Sequence, residues 1–321
     1  MATPRKKQVI LSQTKYYHCM TRCVRRAFLC GKDFATGKNY EHRRDWIEAR
    51  IIMLTRLFTI DVCAYAIMQN HTHLVLFVDD SRAETLSNIE VLRRWGAIHK
   101  LTAEETHYLR YGEEGLTDLG RASVKKEIMR RRKSLSCIST FMKELNQEIA
   151  TRANKEDDCK GKFWEARFKS QALLDEKALI ACMVYVELNP LRVGASSSLS
   201  NSEYTSIRKR LIEARIGKQP FELLPFKTKR EQFGKHLPFD LFSYLELVEQ
   251  TSKTIGTSGK NVASFSLAKF GIAPSAWEEL CIGFEEAFGF VAGNADSLIA
   301  FKNRINQKRI KGVGNATRLF P

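Results

Sequence analysis

Two apolar, β-prone runs separated by two polar residues constrain the fold most: Asp61 to Met68, the pair Gln69-Asn70, and His71 to Val78. β-Branched, aromatic and aliphatic residues on both sides of a two-residue turn read as an antiparallel hairpin. Both runs are apolar enough to lie in the middle of a sheet. An aromatic run, Tyr16 to Val24, supplies a first strand, and apolar residues at Trp46, Ile47, Ile51, Leu54, Leu57 and Phe58 give the segment Tyr40 to Phe58 the period of a helix packed on that sheet. After a more polar segment from Asp79 to about Gly120, expected to be a helical insertion around Leu86 to Leu101 followed by a loop, a basic helix is expected from Arg121 to about Ala153. Gly161 to Leu174 alternates like a further strand, and a helix from Glu176 must stop near Asn189, because Pro190 disfavours helical dihedrals before it. Strand, helix, two strands, helix, strand and helix predict an α+β fold, an antiparallel sheet layered with helices.

The serine-rich stretch Ala195 to Ser200 is the best boundary, dividing residues 1–195 from a basic, mainly helical C-terminal extension, 196–321. Within the extension, helix is expected near Leu241 to Thr251 and from about Val262. With 321 residues, 44% of them hydrophobic, the chain can bury a substantial core, and no apolar run is long enough to span a membrane. The N-terminus is basic but lacks the apolar segment of a secretory signal, so a cytoplasmic location is expected. Eight cysteines lie singly, without metal-binding spacing, and read as reduced thiols.

Charge gives the first functional hint. Lys and Arg number 52 against 36 Asp and Glu, a net +16, which favours a polyanionic partner through counterion release. The positive charge is clustered: Arg22, Arg25 and Arg26 by the first strand; Lys125, Lys126, Arg130, Arg131, Arg132 and Lys133 on the basic helix; Arg208 to Arg230; and Lys302, Arg304, Lys308, Arg309, Lys311 and Arg318 at the C-terminus. These are candidate phosphate contacts, as is Arg167, though a solvated helix face explains Lys125 to Lys133 nearly as well. Trp164 and Phe168 offer rings to unpaired bases or, as the closer expectation, to the core.

In His71-Thr72-His73, strand alternation puts both imidazoles on one face, about 7 Å apart, where they can converge on a divalent cation. Such a pair makes no metal site without a third ligand and a substrate group. The helix Glu176 to Asn189 can supply both: Leu179, Met183 and Val186 form an apolar stripe, Tyr185 sits beside it, and Asn189 follows Tyr185 by four residues on the same face. A half-buried tyrosine followed by an asparagine that ends a helix before proline is the simpler reading of the same residues.

Taken together, Tyr65-Ala66-Ile67-Met68-Gln69-Asn70-His71-Thr72-His73-Leu74-Val75-Leu76, Phe163-Trp164-Glu165-Ala166-Arg167-Phe168 and Tyr185-Val186-Glu187-Leu188-Asn189-Pro190-Leu191-Arg192-Val193-Gly194 resemble the HUH single-tyrosine transposases. The group associated with repetitive extragenic palindromes (REP) is the best match, and Tyr17-His18-Cys19-Met20-Thr21-Arg22-Cys23 resembles its first strand. The resemblance covers roughly residues 8 to 195. It implies a ferredoxin-like sheet, a Mg²⁺ or Mn²⁺ ion held by His71, His73 and Asn189, and Tyr185 as the nucleophile that leaves a 5′-phosphotyrosine and a free 3′-hydroxyl on single-stranded or hairpin DNA. It further implies a bacterial, nucleoid-associated protein. Gln69 stands where many members have proline, and the part beyond about residue 200 is absent from compact members, which leaves both monomer and homodimer open. Two rival readings remain: a relative that binds DNA hairpins without cutting them, and a hydrolytic nuclease whose metal activates water. Tyr16 and Tyr17 are alternative nucleophiles only if Tyr185 is buried.

Overall fold

The computed structural model describes residues 4–24, 29–33, 37–227, 235–255, 267–268, 270 and 272–320. In chain order these form α1 (Arg5–Gln8), β1 (Tyr16–Arg22), α2 (His42–Leu57), β2 (Ile60–Ile67), β3 (His71–Val78), α3 (Asp80–Thr85), α4 (Asn88–Gly96), α5 (Ala103–Tyr111), α6 (Asp118–Leu135), α7 (Ile138–Glu156) and β4 (Lys169–Leu173). They continue as α8 (Glu176–Glu187), α9 (Asn189–Arg192), α10 (Ser206–Ala214), β5 (Phe226–Lys227), β6 (Leu237–Asp240), α11 (Leu241–Thr254), α12 (Pro274–Ala287), β7 (Val291–Ala292), α13 (Ala295–Arg304) and α14 (Val313–Leu319). No helix among the described residues is long and apolar enough to cross a membrane.

The hairpin forms as its sequence demands, with β2 and β3 antiparallel and the turn closed by a bond from Met68 N–H to His71 O at 2.9 Å. The sheet is ordered β2-β3-β1-β4-β7. Its first four strands pair antiparallel, but β7, from the C-terminal part of the chain, adds parallel to β4, so the sheet is mixed and not wholly antiparallel. Packing on one sheet face are α2 and α7, tied to it by Asn146 Nδ2–H donating to Thr21 Oγ1 at 3.2 Å. On the other face lies α8, covered in turn by α12.

Several boundaries differ from expectation for identifiable reasons. β4 begins only at Lys169; residues 163–168 run alongside β1 through isolated bonds such as Glu165 N–H to Arg22 O. The basic helix breaks in two at Ser136 and Cys137, so that α6 and α7 can face different cores. α6 joins α4 and α5 around a satellite core of Val91, Leu92, Trp95, Tyr108, Val124, Ile128 and Leu135. Where a loop was expected after residue 101, Thr102 and Glu105 form a capping box that starts α5. The segment around Val262 lies outside the described residues.

Instead of burying one stripe, α8 is buried at every position from Ala178 to Glu187. Its unbroken apolar run suits a helix enclosed on all sides. The sheet covers one side of it and α12, from beyond residue 196, covers another, so residues on both sides of that point share one core. Thus Ile67 N–H donates to Tyr204 O at 3.1 Å and Tyr65 N–H to Ser206 Oγ at 2.8 Å, which returns the chain to the outer edge of β2.

Glu187, the last residue of α8, is fully buried and accepts hydrogen bonds from Ser206 Oγ at 2.6 Å and from the Tyr244 hydroxyl. The guanidinium of Arg210, also fully buried, lies 3.9 Å from the Glu187 carboxylate, donates to Cys63 O at 2.7 Å and covers the Phe226 ring at 4.4 Å. Removing one partner of a buried pair strands the other charge, at a cost of about 3–5 kcal/mol. Glu187→Ala should therefore lower unfolding stability by about that amount in urea denaturation; a loss under about 1 kcal/mol would show that the network does not hold α8 to α10 and α11.

Candidate functional site

Strand register builds the first half of the site. β1 and β3 pair with Met20 opposite His73 and Arg22 opposite His71, while β1 and β4 pair with His18 opposite Gln171. Directly opposed residues share a face and alternate residues repeat it, so His18, Arg22, His71, His73 and Gln171 all project toward α8. The His71 and His73 rings meet edge-on with centroids 4.7 Å apart. His18 stacks on His73 at 5.2 Å, with its Nε2 only 2.9 Å from His73 Nδ1.

The second half comes from the end of α8. Tyr185 presents its ring edge-on to His73 at 5.9 Å and to His18 at 6.3 Å. α8 stops at Glu187, and after Leu188 the short α9 begins with Pro190 in its first turn, where the missing N–H costs nothing. This places the Asn189 carboxamide nitrogen 3.0 Å from His73 Nε2 and the Arg192 guanidinium 4.0 Å over the Tyr185 ring. His71, His73, Tyr185 and Asn189, singled out from two separate motifs, thus stand together.

A third contribution was not anticipated. α12 is kinked at Gly283, which has non-helical φ −123° and ψ 32°. Arg192 donates to the carbonyls of Cys281, at 2.9 Å, and Ile282, at 2.5 Å, next to that kink. The final turn then delivers Phe284 to within 6.0 Å of the Tyr185 ring and places Glu285 Oε1 3.3 Å from His73 Nδ1 and 3.9 Å from His18 Nε2. Ligand atoms of His18, His73 and Glu285 all lie within 4.8 Å of one another. The parity of His18 within its strand could have flagged it once the register with β3 was known. Glu285 has no local signal, since its role depends on a helix more than two hundred residues away from β3.

Burial dominates the electrostatics. It pushes His18 and His71 down to about 4, and His73 well below the ordinary 6.5, assisted by neighbouring imidazoles and by Arg22 and Arg192. Neutral imidazole is the form that binds metal, so the histidines fit a divalent cation. Burial and then the Glu285 charge raise the Tyr185 phenol to about 12, with Arg192 opposing the rise. Burial also raises Glu285, against the pull of Lys169. Tyr185 is only 6% exposed, which brings its alternatives into question. Neither is better placed: Tyr17 is fully buried and donates to Thr14 O at 3.1 Å, and Tyr16 packs on Phe77 at the opposite end of β1 from Arg22.

The basic residues divide. Arg22 borders the site, and exposed Arg167 lines, with Arg5 and Lys169, a cavity of about 430 Å³ that reaches His18 and Glu285. Arg25 and Arg26 lie outside the described residues, as do Lys229 and Arg230. On α6, Lys125 pairs with Glu113 at 2.7 Å and Arg130 with Glu127 at 2.8 Å. Arg131 covers the Trp95 ring at 4.7 Å, and Arg132 donates to Ala83 O at 2.8 Å and Asn88 Oδ1 at 3.0 Å, so these two serve the satellite core. Lys126 and Lys133 remain exposed on that helix. Trp164 donates to Asn146 O at 2.7 Å and packs on the core, and Phe168 lies under Arg5 at 3.9 Å. At the C-terminus, Arg318 pairs with Glu279 and Arg304 donates to Ser12 Oγ at 3.0 Å.

The depressed histidines couple folding to pH. In the unfolded chain they take protons near pH 6.5, whereas in the fold His18 and His71 resist until about 4. Their contribution is therefore complete above about pH 6.5 and is lost as the pH falls toward 4. Urea unfolding of metal-free protein should show this decline, and His18→Gln should make it shallower. An unchanged slope would mean that His18 is not held neutral by burial.

No family model and no curated protein matches the chain. Among solved structures, a REP-associated tyrosine transposase bound to a REP hairpin is similar at a TM-score of 0.37 and 12% identity, over 70% of this chain and 92% of that one.

Proposed function

We propose that this chain is a metal-dependent strand transferase of the HUH single-tyrosine type, acting on single-stranded, hairpin-forming DNA of the REP kind. The observation that carries the proposal is the meeting of Tyr185, His71, His73 and Asn189, from sequence motifs over a hundred residues apart, on one face of the sheet. The strand order β2-β3-β1-β4, with α2 and α7 as crossovers, supports reading the sheet as ferredoxin-like.

In this reaction the Tyr185 oxygen attacks the scissile phosphorus, the bond from phosphorus to the 3′-oxygen breaks, and a 5′-phosphotyrosine and a free 3′-hydroxyl result. Phenolate is a better leaving group than a sugar alkoxide, so attack by a 3′-hydroxyl reseals the strand. The phenol stays protonated at neutral pH, held up to about 12, so its proton leaves as attack proceeds and the departing 3′-oxygen takes one up. Arg192 over the ring stabilises the negative charge that develops on the phenolic oxygen. Backbone phosphates are assigned to Arg22, opposite His71, and to Arg167, at the wall of the cavity that reaches His18. A divalent ion, Mg²⁺ or Mn²⁺, when bound there polarises the phosphate and offsets charge in the transition state.

One observation favours a second reading. Tyr185 is 6% exposed and is covered by Phe284 and Arg192, as would suit a relative that holds hairpins without cutting them. Incubating the chain with labelled hairpin DNA and Mn²⁺ separates the two. Strand transfer predicts a denaturant-resistant protein–DNA adduct that Tyr185→Phe abolishes while hairpin affinity stays within about threefold. Binding without any adduct would instead support the second reading, and cleavage that survives Tyr185→Phe would point to water as nucleophile.

A further inference from the structure

We infer that the cation site of this chain is formed by His18, His73 and Glu285, so that the C-terminal segment supplies a carboxylate ligand and the site prefers a transition ion such as Mn²⁺ to Mg²⁺. The assignment rests on the strand-transfer reading only in giving the ion a role beside Tyr185.

The spacing of the ligand atoms is the first ground. His18 Nε2 and His73 Nδ1 are 2.9 Å apart, and Glu285 Oε1 stands 3.3 Å from the second and 3.9 Å from the first. Ligands about 2.1 Å from a common ion lie about 3.0–3.4 Å from each other in octahedral and tetrahedral shells. Shifts of a few tenths of an ångström therefore bring all three onto one centre.

The second ground is an orphaned atom. Glu285 Oε1 is buried, and among the described residues it has no hydrogen-bond partner, although two imidazole nitrogens face it. A buried carboxylate oxygen without a donor is costly, and a cation between it and the imidazoles removes that cost.

The surrounding groups orient these ligands. Gln171 Nε2–H donates to Gly289 O at 2.8 Å, which turns its Oε1 toward His18 Nδ1 at 3.4 Å. His18 then carries its proton on Nδ1 and presents a lone pair on Nε2. Asn189 would do the same for His73 after an amide flip: its Nδ2 now lies 3.0 Å from Nε2, and turning the carboxamide oxygen to that position would put the proton on Nε2 and free Nδ1 for the ion. On this assignment Asn189 is a positioning residue, His71 packs edge-on against the ligand His73 without binding the ion, and Glu285 takes the third ligand place. Two imidazoles and one carboxylate suit Mn²⁺ or Zn²⁺ better than Mg²⁺, which favours oxygen. The cavity that reaches His18 and Glu285, with Arg167 and Lys169 at its wall, leaves space for a phosphate oxygen and water on the ion.

The test is Mn²⁺ binding to the full chain without DNA, followed by loss of the free-ion EPR signal and by calorimetry. Wild type should bind at one site, with Mg²⁺ at least about tenfold weaker. Glu285→Gln and His18→Gln should each weaken Mn²⁺ at least about tenfold, and Glu285→Asp should recover part of the loss. Pulsed EPR should detect nitrogen couplings from two imidazoles in wild type and one fewer in His18→Gln. Thermal unfolding of each variant separates misfolding from ligand loss, and Glu285→Asp keeps the test valid if His18→Gln does not fold. Wild type that binds no Mn²⁺, or Glu285 variants that bind within about twofold of it, would overturn the assignment. In the latter case a Tyr185 adduct could still form, which would leave strand transfer standing; intact Mn²⁺ binding without an adduct would do the reverse.

Discussion

The antiparallel pairing of β1 with β3 in a single register is the constraint on which the rest of the site depends. With Met20 opposite His73 and Arg22 opposite His71, the even-numbered residues of β1 and the odd-numbered residues of β3 face α8. A slip of β1 by one residue would turn His18 and Arg22 to the opposite face, where α2 and α7 lie, and away from His71 and His73. The register is held because the residues of the other parity, such as Tyr17, Cys19 and Leu74, are fully buried. Hydrophobic patterning thus aims the imidazoles.

On that platform, the chain beyond residue 196 both finishes the site and closes it. It contributes β7 to the sheet edge, Ser206, Arg210 and Tyr244 to the buried end of α8, and the kinked α12 to the space over Tyr185. The same enclosure keeps the histidines neutral and the phenol protonated. Arg192 links the two halves, since it covers the Tyr185 ring while donating to carbonyls beside the Gly283 kink. For a strand of DNA to reach Tyr185, the end of α12, whose Phe284 packs on the Tyr185 ring, has to yield.

Local patterns in the chain reveal the parts of this arrangement that are set locally. Alternation in β1, β2 and β3, the period of α2, and the proline after α8 are all short-range signals, and they suffice to bring His71, His73, Tyr185 and Asn189 together. What escaped is set by long-range packing. The all-round burial of α8 depends on covering helices that its own sequence does not specify, and β7 is only two residues long. Glu285 reads as an ordinary helical acid until α12 is placed. The basic run on α6 misleads in the other direction, because Arg131 and Arg132 serve a satellite core that composition does not foreshadow.

The proposed strand transfer stands or falls on which atom, if any, becomes linked to DNA. Proteolysis of the chain after reaction with a hairpin substrate, followed by tandem mass spectrometry of nucleotide-bearing peptides, reads this directly. The account predicts a nucleotide phosphate on Tyr185, within the peptide spanning α8 and Asn189. A phosphate on Tyr16, on Tyr17 or on any residue outside the His71–His73–Tyr185 cluster would contradict it.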